Sequence, residues 1–361
     1  MASNNARFYV MKKFVTIYKV LIALFLVIII STCLSYRIGI SPVSKNSEQV
    51  TIEIKENSTY ISIAPLLKEN DLIKSELFYK VYIKIFKPNN LQKGTYVLNK
   101  NMGVKGIIDK LESNEAVLDT ISFVIPEGNH ITDVAKTLSS ITNYTEQQWL
   151  EYWNSEDLIN KLISKYWFIT EEIKNKDLRY NLEGYFFPAT YEIFKSATME
   201  DVTYKMLDKM DDILSKYKNN IDNSDYTVHE ILSLASIVEY EAILDEDRPI
   251  IARVFLNRLN KGMMLQSCAT VGYAIKEWKL TYTYADLQTD SPYNTYKYYG
   301  LPVGPGGLAG EASIKAVLYP DDNDYLYFLA NVYSNTDNKT YYSKTYSEHQ
   351  QKCLQYLGKS C

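Results

Sequence analysis

One stretch near the start limits every architecture open to this chain. Val20 to Tyr36 is a run of 17 residues without a charge, centred on Leu21-Ile-Ala-Leu-Phe-Leu-Val-Ile-Ile-Ile30. As an α-helix such a run covers roughly 26 Å, close to the hydrocarbon thickness of a bilayer. Phe14 to Tyr18 extend it, and Lys19 can snorkel to the interface. The run predicts a membrane helix over 14–36. Arg7, Lys12 and Lys13 precede it, and the positive-inside rule keeps residues 1–13 in the cytoplasm. Everything after Arg37 is then expected outside, on a single-pass anchor. A cleaved signal peptide is the competing reading, but the run is long for a signal core and no Ala-x-Ala follows it. Ile30-Ser-Thr-Cys33 faintly resembles a lipoprotein cleavage box, with Thr32 a poor fit before the cysteine.

The remaining chain is long enough for two or three domains. With 46% apolar and 23% charged residues it can bury an ordinary core. A net charge of -4 gives no support for nucleic-acid binding. The 32 tyrosines are scattered rather than clustered. Cys33, Cys268, Cys353 and Cys361 show no C-x-x-C spacing, so neither zinc nor a redox motif is suggested. A Cys353–Cys361 disulfide is possible outside the cell. His130, His229 and His349 are far apart and make no metal set. No metal or cofactor is expected.

The patterning is that of an α+β protein, with a small module followed by a larger one. A polar linker covers 37–48. Val50 to Ile54 alternates as a strand, Ser58 offers a cap for a helix from Tyr60 to Lys68, and Ser75 to Phe86 reads as a second helix. A strand at Gly94 to Leu98 and a helix at Val104 to Leu111 complete a module over 49–113. Val50 to Leu67 has an echo at Ile121 to Leu138, both copies reading strand, polar turn, helix. The larger module, 118–361, is mostly helical. Its clearest helices are Met199 to Lys218, His229 to Leu244 and Asp247 to Lys261; a Gly/Pro-rich loop spans Ser291 to Gly310.

One helix carries a carboxylate on the wrong face. Ile231, Leu232, Leu234, Ala235, Val238 and Ala242 form an apolar stripe, with Ser236 and Tyr240 opposite. Glu239 projects into that stripe, and Glu241 falls near its edge. A glutamate on an apolar face must be paired, coordinated or neutral. Desolvation favours the protonated carboxyl, which suits a general acid. A structural ion pair with Arg248 or Arg258 is the plainer alternative.

Six segments are too polar or too glycine-rich to be explained by packing. They are Leu182-Glu-Gly-Tyr-Phe-Phe-Pro188, Ala235-Ser-Ile-Val-Glu-Tyr-Glu241, Arg248 with Phe255-Leu-Asn-Arg258, Gly262-Met-Met-Leu-Gln-Ser267, Asp290-Ser-Pro-Tyr-Asn-Thr295 and Gly300-Leu-Pro-Val-Gly-Pro305. In this order and spacing the chain resembles the endolytic murein transglycosylase family, also called YceG-like. The resemblance implies a membrane-anchored enzyme that cuts peptidoglycan glycan strands internally. It also implies a LysM-like character for 49–113, a catalytic domain over 118–361, and Glu239 as the catalytic residue.

The implied chemistry needs one well-placed carboxyl. It protonates the β-1,4 glycosidic oxygen between N-acetylmuramic acid and N-acetylglucosamine, then takes the proton of the muramoyl C6 hydroxyl as that oxygen attacks C1. A 1,6-anhydromuramoyl end results, and no water is consumed. Such cuts would terminate nascent strands, in partnership with peptidoglycan synthases. Gln266, Ser267, Thr270, Ser291, Tyr293, Asn294, Glu241 and Tyr185 are the candidate substrate contacts, and Cys268 is expected to line the cleft. Glu241, Glu183 and Asp290 are candidates for a second acid if the enzyme is instead a muramidase-type hydrolase. The chain departs from the family pattern at Cys268-Ala269, at Gly306 to Gly310, and at Tyr240 and Ala242 beside Glu241. A peptidoglycan-binding scaffold that lost turnover is therefore the other alternative.

Overall fold

The computed structural model of the chain describes residues 21–22, 24–89, 91–113, 120–195, 197–279, 281–330 and 339–358. The anticipated cytoplasmic tail at 1–13, the first part of the anticipated span at 14–20, and Cys361 lie outside the described residues. Residues 24–39 form helix α1, on which Leu24, Phe25, Leu26, Val27, Ile28 and Ile30 are all exposed. Among the described residues no helix is long and apolar enough to cross a membrane. The chain divides into two compact units, Met1–Asp119 and Thr120–Cys361.

In the first unit, β1 (Gln49–Ile54), α2 (Ala64–Glu69), α3 (Glu76–Phe86), β2 (Gly94–Asn99) and α4 (Val104–Glu112) follow α1. The two strands pair antiparallel, with Ile52 opposite Tyr96 and Ile54 opposite Gly94. Their period of two puts Ile52, Ile54, Tyr96 and Leu98 on one buried face, against Leu67, Tyr79, Ile107 and Leu111. Ser75 caps α3 by accepting the Phe78 N–H. The helix predicted from Tyr60 starts later, at Ala64. Thr59 and Ser62 accept each other's backbone N–H (2.8 and 3.1 Å), which holds 59–62 as a turn. Pro65 then sits in the first helical turn, where its missing N–H costs nothing.

The second unit contains β3 (Thr120–Val124), α5 (Ile131–Ser139), α6 (Glu146–Trp153), α7 (Glu156–Lys165), β4 (Thr190–Phe194), α8 (Met199–Ser215), α9 (Lys218–Asp222), α10 (Val228–Glu241), α11 (Arg248–Asn260), α12 (Cys268–Ile275), α13 (Tyr284–Leu287), α14 (Glu311–Leu318), β5 (Tyr327–Ala330), β6 (Thr340–Ser343) and α15 (Tyr346–Leu357). Its strands make two antiparallel ribbons, β3 with β4 and β5 with β6. The mixed α+β class holds. Both copies of the strand–turn–helix echo form locally, but β1 pairs with β2 and β3 with β4.

Helix α10 starts where its sequence says it should. Thr227 accepts the Glu230 N–H (3.2 Å), and the Glu230 carboxylate accepts the Thr227 N–H (2.8 Å). The helix is not the one-sided amphipath that the stripe suggests. Residues Ile231 to Val238 are all buried, Ser233 and Ser236 included, because α11, α12 and α14 all pack on it. The two serines tolerate burial because each hydroxyl donates to a carbonyl of its own helix, His229 O at 2.7 Å and Ser233 O at 2.8 Å. Around α10 lie Trp149, Trp153, Tyr185, Phe186 and Phe255, all fully buried. Cys353 is disulfide-bonded, and Cys33 and Cys268 are free.

Candidate active site

The last turn of α10 sends three side chains in three directions. Glu239 points toward the start of α11 and the N-terminus of α14. Arg248 Nη1 donates to Glu239 Oε1 at 3.0 Å, and the Gly310 N–H donates to Oε2 at 2.8 Å. The Glu239 side chain is only 6% exposed. Both oxygens therefore have donors, which is what a nearly buried carboxylate requires. Arg248 is fixed in turn by Asp245 Oδ1 (3.0 Å) and by Ser313 Oγ of α14. Of the two arginines within reach in sequence, Arg248 is the partner. Arg258 instead donates to the carbonyls of Leu265 (2.7 Å) and Leu326 (2.6 Å) and ties the segment before Gln266 to β5.

The glycine-rich loop is laid along α10 as bare backbone. Val303 O meets His229 Nε2 at 2.9 Å, the Gly306 N–H donates to Ser236 Oγ at 3.1 Å, and Gly310 N–H reaches Glu239. Side chains would hold it off. A Cβ at Gly304 would come within 2.5 Å of Leu178 Cδ2 and 3.1 Å of His229 Nε2. A Cβ at Gly310 would come within 1.9 Å of Glu127 Oε1. The turn carrying Glu127 is bonded to the same loop, by Gly128 N–H to Leu308 O and Leu308 N–H to Asn129 O, both 2.8 Å. The Tyr240 hydroxyl donates to Gly128 O and anchors that turn to α10 itself.

Glu127 is thus brought beside Glu239, although nothing in its local sequence, Ile125-Pro-Glu-Gly, singles it out. Its carboxyl is pushed above the usual range by partial burial first and by the charge of Glu239 second, with Arg248 opposing.

Glu241 turns inward. Its Oε1 accepts the Ser267 hydroxyl at 2.6 Å, and its carboxylate faces the backbone N–H groups of Cys268 and Ala269, the first residues of α12. Burial raises its pKa, and these donors lower it. A carboxylate at a helix N-terminus satisfies N–H groups that have no partner within the helix. This explains α12, a helix with three β-branched residues and a glycine that propensity does not predict.

Most of the anticipated sugar contacts are inside the protein. Ser267, Thr270, Tyr293 and Asn294 are buried, and Tyr185 is fully so. Ser267 N–H donates to Thr295 Oγ1 (3.0 Å), and Thr270 Oγ1 bonds Thr295 Oγ1 (2.8 Å). Asn294 Nδ2 donates to the carbonyls of Leu287 (2.9 Å) and Thr289 (2.8 Å). Tyr293 Oη accepts the Arg179 N–H (3.1 Å), and Tyr185 Oη meets His229 Nδ1 (2.9 Å). These groups build the wall behind the site, because each polar atom already has a protein partner. Ser291 is half-buried, and its Oγ accepts the Tyr293 N–H (3.3 Å). Gln266 and Cys268 are exposed, the Cys268 thiol 3.3 Å from Tyr296 Oη. Gln266 has φ +54°, a left-handed conformation that costs about 1–2 kcal/mol outside glycine. Glu183 is buried away from Glu239, accepting Ile131 N–H and Tyr273 Oη–H at 3.0 Å each. Asp290 is on the surface, paired with Lys297 at 2.9 Å.

Fold and site together define a mixed α+β protein built around a carboxylate at the end of a buried helix and a glycine loop bonded along that helix. A profile of the YceG-like family matches residues 52–355. The chain is 38% identical over 322 residues to the endolytic murein transglycosylase of Bacillus subtilis strain 168, covering 88% of each. It is 34% identical over 336 residues to the endolytic murein transglycosylase of Streptococcus pneumoniae strain D39, covering 88% of this chain and 60% of that protein. The crystal structure of a YceG-like protein from Listeria monocytogenes superimposes with a TM-score of 0.60 at 35% identity, covering 84% of this chain and 98% of that one. The chain belongs to the YceG-like family, as its six motifs imply.

Proposed function

We propose that this chain is an endolytic murein transglycosylase, anchored in the cytoplasmic membrane, whose catalytic carboxyl is Glu239. The activity is that named for the relatives in Bacillus and Streptococcus. The observation that carries it to a residue is the environment of Glu239, a nearly buried carboxylate oriented by Arg248 and the Gly310 N–H. Orientation of this kind lets a carboxyl exchange protons with reacting oxygens. The bond cut is the β-1,4 linkage between N-acetylmuramic acid and N-acetylglucosamine. The muramoyl C6 oxygen attacks C1, and the product carries a 1,6-anhydro end. Glycan strands are the substrate, and cutting them inside nascent wall would set strand length alongside the synthases.

The exposed apolar side chains of α1, most of which lies within the charge-free run from Val20 to Tyr36, support a single-pass anchor with the second unit outside the cell. The β-α-α-β order of β1 to β2 supports a LysM-like, sugar-binding role for 49–113.

Mass analysis of digested glycan strands tests the activity. The wild type is expected to release anhydro ends, and Glu239→Gln to lose about 10²–10⁴-fold in rate while keeping its fold. Reducing ends would make the enzyme a muramidase-type hydrolase. No cleavage by the wild type would make it a binding protein, and full activity of Glu239→Gln would remove that residue from the mechanism.

A further inference from the structure

Glu239 is poorly placed to start the reaction alone. Arg248 and the Gly310 N–H both donate to it, so each of its oxygens already serves as an acceptor. A glycosidic oxygen leaves only if something gives it a proton. The residue beside Glu239 that fits this need is Glu127. Its carboxyl lies against Gly310, the glycine whose N–H holds Glu239, so the two carboxyls converge on one residue from different elements. Glu127 is exposed where Glu239 is not, and no hydrogen-bond donor reaches its carboxyl among the described residues. Its backbone is not loose. The two bonds to Leu308 and the Tyr240 hydroxyl on Gly128 O fix the turn that presents it.

Resting on the function proposed above, we infer that Glu127 is a second catalytic carboxyl, which protonates the glycosidic oxygen while Glu239 receives the proton of the C6 hydroxyl. Atoms and charges balance. The Glu127 proton goes to the N-acetylglucosamine O4 as the C1–O4 bond breaks. The muramoyl O6 bonds to C1, and its proton goes to Glu239. One proton then returns from Glu239 to Glu127, directly or through solvent, and the enzyme is as it began. Two carboxyls this close favour a shared state in which one keeps its proton. The Glu127 carboxyl is pushed up by partial burial first and by the charge of Glu239 second. The arrangement also gives Gly310 a reason to be glycine: any side chain there would part the pair.

Two measurements on the full-length protein in detergent decide it. In the first, wild type, Glu239→Gln and Glu127→Gln are assayed for anhydro ends on isolated glycan strands across pH. Glu127→Gln is expected to fall at least 10²-fold with its unfolding midpoint kept, and Glu127→Asp to recover part of the rate. The alkaline limb of the wild-type profile should be absent from the residual activity of Glu127→Gln. In the second, the Glu127 side-chain carboxyl is titrated by carbon NMR in wild type and in Glu239→Gln. Its midpoint is expected to drop when the neighbouring charge is removed. An active wild type with an equally active Glu127→Gln overturns this inference alone. A Glu127 midpoint that ignores Glu239 overturns it whatever the activity. A wild type that cuts no glycan overturns the proposed function and this inference with it.

Discussion

Arg248 is the residue on which the site's electrostatics turn. Its guanidinium serves Glu239, Asp245 and Ser313 at once, a three-way task for a planar fork of donors. Arg248→Met keeps the length and removes the charge, leaving Glu239 nearly buried with one donor. Breaking such a pair from one side costs about 3 kcal/mol. Combining it with Glu239→Gln should recover part of the loss, since the uncompensated charge is gone. All four tryptophans, Trp149, Trp153, Trp167 and Trp278, lie in the second unit, so urea unfolding followed by their fluorescence reads this directly. At this scale the sequence was informative about Glu239, because a carboxylate in an apolar helix demands a partner and Arg248 was one of two within reach. It said little about Glu127, whose neighbour Gly310 is remote in the chain and whose own surroundings look like any polar turn. It also could not show that Tyr293, Asn294 and Thr270 are buried. A buried network and an open subsite use the same polar side chains, and only burial tells them apart.

Among elements, the pairing of α10 with the glycine loop matters most. The loop approaches closely because glycines stand at several of its contacts with the helix. Gly304→Ala would drive a methyl group into Leu178 and the His229 ring, which Val303 O and Tyr185 Oη hold from both sides. Overpacking of this kind costs about 1–3 kcal/mol. Gly310→Ala meets only the far end of the flexible Glu127 side chain, so stability should change little while glycan cleavage falls. Thermal unfolding and the anhydro-end assay, run on both variants, check this split between stability and activity. Some element boundaries were legible: the helices read at Ser75 to Phe86 and Asp247 to Lys261 lie within a residue of α3 and α11. Helix α12 was not legible, because the group that caps it, Glu241, comes from another helix. Nor was the all-round burial of α10, which depends on what packs against the serine side.

For the second unit as a whole, Glu183 sets a dependence on pH. Burial pushes its carboxyl up to about 7, against the opposing bonds from Ile131 N–H and Tyr273 Oη–H. A carboxyl whose pKa is higher folded than unfolded favours the folded state when protonated. Its contribution is fully present below the unfolded value near 4.5, and is lost as pH rises through the folded value near 7. Glu183→Gln should therefore gain on the wild type between pH 5 and pH 8, by about 1–3 kcal/mol. His130, whose pKa burial lowers, works in the opposite direction, so the difference between the two proteins, not the wild type alone, isolates Glu183. Urea midpoints at both pH values give that difference.

The bonds that join the Glu127 turn to Leu308 and Gly310 also set an order of events in time. Glu127 leaves the ribosome early and Gly310 late, with α5 to α13 between them. Most of the second unit, up to the start of α14, must be made before the two carboxyls can meet. A chain still emerging holds the parts of a cutting site without the site, so a wall-cleaving activity first exists when most of the second unit has been made.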